Sequence, residues 1–169
     1  MEIFYLNGDA CRPRGEGKKI ICHICNDKGR WGAGFVLALS EKWKEPEALY
    51  RSINVRDLKL GNVQMVEVEP GLLVANMIAQ HDTYNGPAGL PPIRYGAVRI
   101  ALATVNDLAF KIGATIHMPR IGCGLAGGKW EDIEKIIREV QSVNVYVYDY
   151  FSKEEINKPG LLHMYRSNE

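Results

Sequence analysis

Residues 18–39, KKIICHICNDKGRWGAGFVLAL, decide the fold of this chain. The first part is a continuous apolar run of strand length, rich in isoleucine and cysteine, which is typical of a strand buried on both faces. The run stops at Asn26-Asp27 and passes into a loop that holds Gly29, Gly32 and Gly34, after which an apolar helical pattern begins. This order of strand, glycine loop and helix places backbone N–H groups and the positive end of a helix at the carboxyl edge of a sheet. Such an edge favours an anion, phosphate in particular.

The rest of the chain alternates strands with helices around this stretch. Further strands are predicted at residues 3–6, 64–68, 72–79, 115–118 and 144–148, and helices at 32–43, from 45 onward, at 95–112 and at 129–140. A Glu-Pro-Gly turn at residues 69–71 joins two adjacent strands, so that pair is antiparallel. We therefore predict an α/β fold with a mixed, roughly six-stranded sheet in a three-layer α/β/α arrangement.

Ligands of such sheets bind beyond the carboxyl ends of the strands. Four loop segments are expected to gather at that edge, namely residues 7–9, 26–34, 80–92 and 121–128. We expect one domain over residues 1–150, followed by a C-terminal extension of unknown role at 151–169.

Composition excludes several classes of function. The 169 residues carry 21 Lys and Arg against 20 Asp and Glu, a net charge of +1 with no basic cluster, so a nucleic-acid partner is not expected. No apolar segment approaches the ~20 residues that cross a bilayer, and the N-terminus has no signal-peptide pattern. The four cysteines lack the pattern of a disulfide framework, which indicates thiols in a reducing cytoplasm.

The segment GCGLAGG at residues 122–128 packs four glycines into seven positions between a strand and a helix. This density indicates that the backbone approaches a ligand, and an anion-binding role is favoured over a purely structural turn. A Walker phosphate loop is excluded, because Cys123 stands where glycine is needed and Trp130 where Ser or Thr would follow Lys129. For Gly32-Ala33-Gly34, a dinucleotide fingerprint fails because its third glycine would fall at Leu37. The alternative that these glycines only let the helix approach the sheet remains open.

Cys22 and Cys25 form a C-x-x-C pair, which raises the question of zinc or redox chemistry. Residues three apart in a strand point to opposite faces, and Cys11 and Cys123 are isolated from one another. We therefore expect buried structural thiols and no metal site.

Several side chains near the predicted loops carry chemistry, each with a simpler structural alternative. Asp9 either caps a turn or accepts a hydrogen bond from an adenine amino group. His23 and His81 are either hydrogen-bonded structural residues or general bases. The aromatic and amide side chains that can stack on or hydrogen-bond a ligand, or else belong to the core or surface, are Tyr84, Asn85, Tyr148 and Tyr150.

Four segments together carry a family resemblance: Gly8-Asp9, the 26–34 loop, MPRIGCGL at 118–125 with Trp130, and VYVY at 145–148. Their order and spacing over residues 1–150 resemble a macrodomain. Within that family, the string from His23 to Gly34 is similar to the fungal ADP-ribose 1″-phosphate phosphatase. The 118–125 string is similar to the terminal ADP-ribose protein glycohydrolase.

The resemblance implies an ADP-ribose pocket without a cofactor. Asp9, flanked by Gly8 and Ala10, would take the adenine amino group, and residues 122–128 would wrap the diphosphate with backbone N–H groups. Asn26 and the 31–35 loop would face the distal ribose. The ligand-binding residues implied in this way are Gly8, Asp9, Ala10, Trp31, Gly32, Ala33, Gly34, Phe35, Gln80, Ile121, Gly122, Cys123, Gly124, Leu125, Ala126, Gly127 and Tyr148.

Two positions depart from the glycohydrolase pattern. Its nucleophilic lysine corresponds to Gln80 here, and its partner aspartate corresponds to Ala126. An amide and a methyl group cannot form a lysyl adduct or move a proton, so that mechanism is not expected.

The expected function is binding of ADP-ribose and hydrolysis of an ADP-ribose derivative. The preferred substrate is ADP-ribose 1″-phosphate, and a related de-ADP-ribosylation is the other candidate reaction. His23 is the leading acid–base candidate, supported by Asn26, with Asp27 and His81 behind it. The alternative is a module that binds free or protein-linked ADP-ribose without turnover.

Overall fold

The structure, a computed structural model, describes residues 1–150; the expected C-terminal extension at 151–169 lies outside the described residues. Within this range the strands are β1 (Ile3–Asn7), β2 (Lys19–Asn26), β3 (Val63–Glu69), β4 (Leu72–Gln80), β5 (Thr115–Pro119) and β6 (Val145–Asp149). The α-helices are α1 (Phe35–Lys42), α2 (Glu45–Ser52), α3 (Tyr95–Ile112) and α4 (Trp130–Val140).

The six strands form one mixed sheet in the order β1-β6-β5-β2-β4-β3. Every neighbouring pair is parallel except β3 and β4, which the turn at Pro70-Gly71 joins as an antiparallel hairpin. The predicted mixed sheet is therefore confirmed. The carboxyl ends of β2, β4 and β5 lie side by side near the middle of the sheet, where a ligand cleft is expected.

Strand β2 is buried on both faces, as its apolar run predicts. Ile20 and Cys22 belong to one core cluster with α3 and α4, whereas Ile21 and Cys25 belong to a second cluster with α1 and α2. The three-layer α/β/α architecture is thus confirmed. The two cysteines face opposite layers, and burial raises the pKa of both thiols well above the ordinary value, so both are inert structural thiols.

Helix α1 begins at Phe35, three residues later than predicted. Gly34 has φ +79°, in the left-handed region that glycine tolerates, so the helix cannot extend back through it. The later start lengthens the connection between β2 and α1, which we call the first glycine loop (residues 27–34). The connection between β5 and α4, residues 120–129, is called the second glycine loop.

Within residues 1–150, none of the helices combines the length and apolar character of a membrane span.

Candidate functional site

A cleft of about 520 Å³ opens at the carboxyl ends of β2, β4 and β5. Both glycine loops and the last residue of β4 contribute to its walls. The predicted site residues that line it are His23, Asn26, Trp31, Gly32, Ala33, Gly34, Phe35, Gln80, Ile121, Gly122, Gly124, Leu125 and Ala126. The structure therefore brings together the two loops that the sequence singled out.

The two glycine loops approach each other across the cleft. A Cβ atom placed on Gly34 would lie 3.7 Å from Cδ1 of Leu125. Several backbone N–H groups of both loops donate no hydrogen bond to any group within residues 1–150, among them those of Gly32, Ala33, Gly124, Leu125 and Ala126. Unpaired backbone donors in two neighbouring loops form a site suited to an anion.

The second glycine loop is shaped by close packing that only glycine permits. Gly122 has φ +73°, and a Cβ atom there would lie 2.7 Å from Cδ1 of Ile93. A Cβ atom on Gly128 would lie 2.6 Å from the carbonyl oxygen of Gly122, which accepts a 2.7 Å hydrogen bond from the Gly128 N–H. The loop is thus folded back onto its own backbone, and its glycines serve both the turn and the cleft.

The first glycine loop is held by the side chain of Asn26. Its Oδ1 accepts hydrogen bonds from the N–H groups of Lys28 (3.0 Å) and Arg30 (3.1 Å). The Tyr50 hydroxyl shares its proton between the Asn26 carbonyl oxygen (2.7 Å) and Oδ1 (2.9 Å). Its Nδ2 donates to the Arg30 carbonyl oxygen at 2.7 Å. Asn26 lines the cleft, and these bonds hold the loop while one N–H of its Nδ2 donates to no group within residues 1–150.

His23 lies in the floor of the cleft and is almost fully buried, with 2% of its surface exposed. Its Nε2 contacts Oδ1 of Asn76 at 2.5 Å. The Asn76 Nδ2 is committed to donating to Pro46 O and Gln64 Oε1, so Nε2 is the protonated nitrogen of His23. Burial lowers the pKa of His23 to about 4 even though the Asn76 contact raises it. At neutral pH the imidazole is therefore uncharged, and its Nδ1 is a proton acceptor.

Asp27 and His81 form a pair behind the rim, outside the cleft lining. The His81 Nδ1 lies 2.7 Å from Asp27 Oδ2, and the Asp82 N–H donates to Asp27 Oδ1 at 2.9 Å. Partial burial raises the pKa of Asp27, but the bonds from His81 and Asp82 together lower it below its ordinary value. His81 is about half exposed.

Two arginines in the cleft were not predicted as site residues. Arg30 belongs to the first glycine loop, and Arg120 follows the end of β5 directly. Arg120 donates two hydrogen bonds to the Asp149 carboxylate, at 2.6 and 2.9 Å, and these raise the pKa of its guanidinium. Its position right after a predicted strand end was the sequence signal that could have identified it. Within residues 1–150 no carboxylate lines the cleft, which therefore favours an anion.

The predicted adenine-binding residues lie at the same sheet edge but beyond the cleft lining. The Gly8 N–H donates to the Asp149 carbonyl oxygen at 3.0 Å, which places Gly8 next to the Arg120–Asp149 ion pair. Asp9 Oδ1 accepts the Cys11 N–H at 2.8 Å, which is the turn-capping alternative, and Ala10 is buried. Asp9 remains partly exposed beside the turn.

The assignment of Tyr148 as a ligand-contacting residue needs correction. Only 3% of Tyr148 is exposed, and its hydroxyl lies 2.8 Å from His117 Nδ1 and accepts the Arg14 N–H at 2.8 Å. The side chain therefore points into the protein, whereas Tyr150, just past the strand, is 74% exposed.

Cys123 and Gly127 are also outside the lining: the Cys123 side chain packs toward the core, and Gly127 packs against Pro91. Tyr84 and Asn85 are exposed in the 81–94 connection.

Two solved structures are similar to this chain at high coverage. A protein of unknown function from Bacteroides thetaiotaomicron is 55% identical, with a TM-score of 0.85, and the match covers 88% of this chain and 98% of that one. A macrodomain protein from Streptomyces coelicolor is 46% identical, with a TM-score of 0.76, and the match covers 89% of this chain and 100% of that one.

Curated relatives are more distant. The chromodomain-helicase-DNA-binding protein 1-like of Mus musculus is 32% identical over 165 residues, which are 89% of this chain but only 18% of the mouse protein. The ADP-ribose 1″-phosphate phosphatase of Candida albicans is 26% identical over 162 residues, covering 86% of this chain and 98% of the yeast protein. No protein-family model matches the chain.

Proposed function

The chain belongs to the macrodomain family, and from that premise we propose that its cleft binds ADP-ribose and hydrolyses a derivative of it. The observation that carries the binding proposal is the meeting of two glycine loops with unpaired backbone N–H groups on one cleft. Neutral amides can hold a diphosphate without a strongly basic surface. This accounts for how a chain of net charge +1 takes a dianionic ligand.

The proposed orientation of the ligand follows the order of the cleft walls. The diphosphate lies along the second glycine loop and the distal ribose lies against residues 31–35 and Asn26. The adenine extends past Arg120 toward Asp9. The carboxylate of Asp9 then accepts a hydrogen bond from the adenine amino group while keeping its turn contact with Cys11.

Hydrolysis is the activity we assign to the site, with ADP-ribose 1″-phosphate as the first substrate. The relative from Candida albicans is named a phosphatase of this compound, and a relative from Bos taurus, 28% identical over 141 residues, is named an ADP-ribose glycohydrolase. In the proposed reaction a water oxygen bonds to phosphorus as the bond to the ribose oxygen breaks. The products are ADP-ribose and phosphate.

This chain's residues contribute position and charge stabilisation more than proton transfer. Backbone N–H groups face the charge that develops, and the Asn26 brace fixes the loop that orients the distal ribose. His23 accepts a proton only through Nδ1 and cannot act as an acid at neutral pH, since its pKa is about 4. The Asp27–His81 pair is the second candidate for proton transfer, from the rim.

A second candidate function is binding of free or protein-linked ADP-ribose without turnover. It is favoured by one observation: the cleft within residues 1–150 is lined by Gln80 and Ala126, and by no lysine or carboxylate. Such a module would recognise ADP-ribosylated protein through the nucleotide alone.

Two measurements separate these functions. Calorimetry should show that ADP-ribose binds more tightly than AMP, ATP or NAD, and incubation with ADP-ribose 1″-phosphate should release phosphate above a control without protein. Tight binding without phosphate release would establish the binding module for this substrate. Absence of ADP-ribose binding would reject both functions.

The adenine contact can be tested apart from the turn. Asp9→Asn keeps an oxygen for the Cys11 N–H but removes the negative charge, whereas Asp9→Ala removes both. Both variants should weaken ADP-ribose binding by about 1–3 kcal/mol, and only Asp9→Ala should also lower the melting temperature. Unchanged affinity in Asp9→Asn would contradict the adenine assignment.

A further inference from the structure

Arg30 stands at the rim of the cleft with its side chain 58% exposed. It lies in the wall formed by the first glycine loop, opposite the second, and it neighbours Thr83 and Gln80 of the β4 end in the lining. Under the proposed orientation this wall faces the distal ribose. Arg30 is the charged side chain of this wall of the cleft.

Both ends of Arg30 are held in place. Its backbone N–H and C=O are both bonded to the Asn26 side chain, at 3.1 and 2.7 Å. Its guanidinium Nη1 donates to Thr83 Oγ1 at 3.1 Å and lies 3.4 Å from Asp82 Oδ1. An exposed arginine usually samples many rotamers, and these contacts restrict that freedom before any ligand arrives.

The residue that anchors the guanidinium adopts an uncommon backbone conformation. Asp82 has φ +59°, in the left-handed region, and its Oδ1 also accepts the Thr83 N–H at 2.8 Å. Residues other than glycine enter that region at an energetic cost, although aspartate tolerates it better than most. The chain after Gln80 therefore turns so that the Asp82 carboxylate and the Thr83 hydroxyl both contact the Arg30 guanidinium.

These contacts leave one edge of the guanidinium available. Both use Nη1, and the N–H groups of Nε and Nη2 donate to no group within residues 1–150. The Nε and Nη2 edge is the planar fork that binds two oxygens of one phosphate or carboxylate. Because Arg30 lines the cleft, this fork is accessible to a ligand bound there.

We propose that Arg30, oriented by Asp82 and Thr83, forms a subsite for a phosphate group carried by the distal ribose. The subsite makes the cleft prefer ADP-ribose 1″-phosphate to ADP-ribose. It also disfavours ADP-ribose joined to a protein carboxylate, because an ester carries no charge at that position. This inference rests on the proposed function and specifies which derivative the site accepts.

The nearby carboxylate limits the size of the effect. Asp82 offsets part of the charge of Arg30, and the guanidinium is more than half exposed, so solvent screens its attraction for an anion. Two charge-assisted hydrogen bonds in that setting correspond to about a tenfold preference.

The test compares two ligands in the full-length protein and three variants. Arg30→Gln removes the charge and the fork, Arg30→Lys keeps the charge without the fork, and Arg138→Gln is the matched control. Arg138 is likewise 56% exposed and paired with a carboxylate, Glu134, at 3.2 Å, but it lies on α4 outside the cleft lining. Calorimetry gives Kd for ADP-ribose, and phosphate release gives kcat/KM for the 1″-phosphate, or calorimetry gives its Kd where there is no turnover.

Arg30→Gln should lower kcat/KM, or affinity, for the 1″-phosphate by about tenfold and leave the ADP-ribose Kd within about twofold. Arg30→Lys should recover part of the loss, and Arg138→Gln should change neither ligand. An equal loss for both ligands would mean that Arg30 contacts the diphosphate, and no loss would mean that it contacts neither; both results overturn the subsite but leave ADP-ribose binding intact. If the unaltered protein binds neither ligand, the proposed function itself fails.

Discussion

The two glycine loops reach the same cleft but are stabilised in different ways. The first loop is braced by polar side chains: Asn26 bonds to the backbone of Lys28 and Arg30, and Tyr50 bonds to Asn26. The second loop is packed against apolar residues and its own backbone, with no space for a Cβ atom at Gly122 or Gly128.

This difference separates what each loop contributes. The first loop can carry a charged side chain into the cleft, because its shape is fixed by groups outside the loop. Between residues 122 and 128 the second loop contributes mainly backbone, since its shape depends on having no side chains at its tight positions, and its one charged side chain in the cleft, Arg120, precedes that stretch. The two loops should therefore respond differently to acid and to substitution.

Acid should weaken the first loop before the second. Burial lowers the pKa of His23 to about 4 and also that of His117, from an ordinary value of 6.5. The unfolded chain therefore binds more protons than the native state, and the free energy of unfolding falls as pH drops from about 6.5 to about 4. The loss is roughly 3 kcal/mol per histidine at pH 4.

The His23 ring packs against Trp31 and Phe35, at ring-centroid distances of 5.4 and 5.8 Å, so its protonation disturbs the first loop directly. Urea denaturation at pH 7 and pH 4.5, with amide hydrogen exchange, measures both effects. Two results would contradict the prediction that acid weakens the first glycine loop before the second. One is an equal loss of amide protection in both loops, and the other is a free energy of unfolding that does not change between pH 7 and pH 4.5.

Removing the brace of the first loop should have the next largest effect. Asn26→Ala leaves the N–H groups of Lys28 and Arg30 without an acceptor, whereas the Tyr50 hydroxyl keeps the Asn26 carbonyl oxygen at 2.7 Å. We expect a loss of roughly 3 kcal/mol in the free energy of unfolding, measured by urea denaturation. Asn85→Ala, at an exposed position, should change stability little. A similar loss in both variants would show that the hydrogen bonds of the Asn26 side chain contribute no more to the free energy of unfolding than an exposed amide does.

Adding one methyl group to the second loop should be almost as damaging. A Cβ atom on Gly128 would lie 2.6 Å from the Gly122 carbonyl oxygen, so Gly128→Ala must displace backbone. We expect a loss of roughly 2 kcal/mol, together with weaker ADP-ribose binding. The matched control is Gly96→Ala, since Gly96 is exposed on α3 and a Cβ there meets nothing within 4 Å. A stable Gly128→Ala protein would show that the loop is more deformable than its packing indicates.

The smallest effect on stability is expected at the cleft face of the same loop. A Cβ atom on Gly124 meets nothing within 4 Å, so Gly124→Val should change the free energy of unfolding by about 0.5 kcal/mol or less. The valine would nevertheless occupy the space of the diphosphate, and we expect calorimetry to show no ADP-ribose binding. Normal binding in a folded Gly124→Val protein would remove the second loop from the ligand site.

The fold was predictable because its signals are local. The apolar run of β2 indicated burial on both faces, and the hairpin turn at Pro70-Gly71 indicated the antiparallel pair. The two glycine loops were predictable for the same reason, since their composition is unusual over a few residues. The late start of α1 was not predicted, because the sequence alone does not indicate whether a glycine near the start of a helix has a positive φ.

Much of the remaining site depends on contacts between distant segments. The orientation of Arg30 depends on Asp82 and Thr83, which lie in the connection just after the end of β4. Tyr148 was misassigned, although strand alternation offered a signal: Val145 and Val147 belong to the core cluster with α3 and α4, and Tyr148 therefore faces the other side of the sheet, beside His117. The burial of His23 follows from Asn76, Trp31 and Phe35 closing around it.

The pairing of β2 with β4 contains an irregularity at the mouth of the cleft. Cys25 pairs with Ile78 but Asn26 pairs with Gln80, so Ala79 is an extra residue in the ladder. Because of this extra residue, Gln80 and not Ala79 lies opposite Asn26 at the end of β4. Deleting Ala79 would remove the extra residue and make the ladder regular, so that Gln80 would follow Ile78 directly and remain opposite Asn26 without the local bend that the extra residue gives the strand.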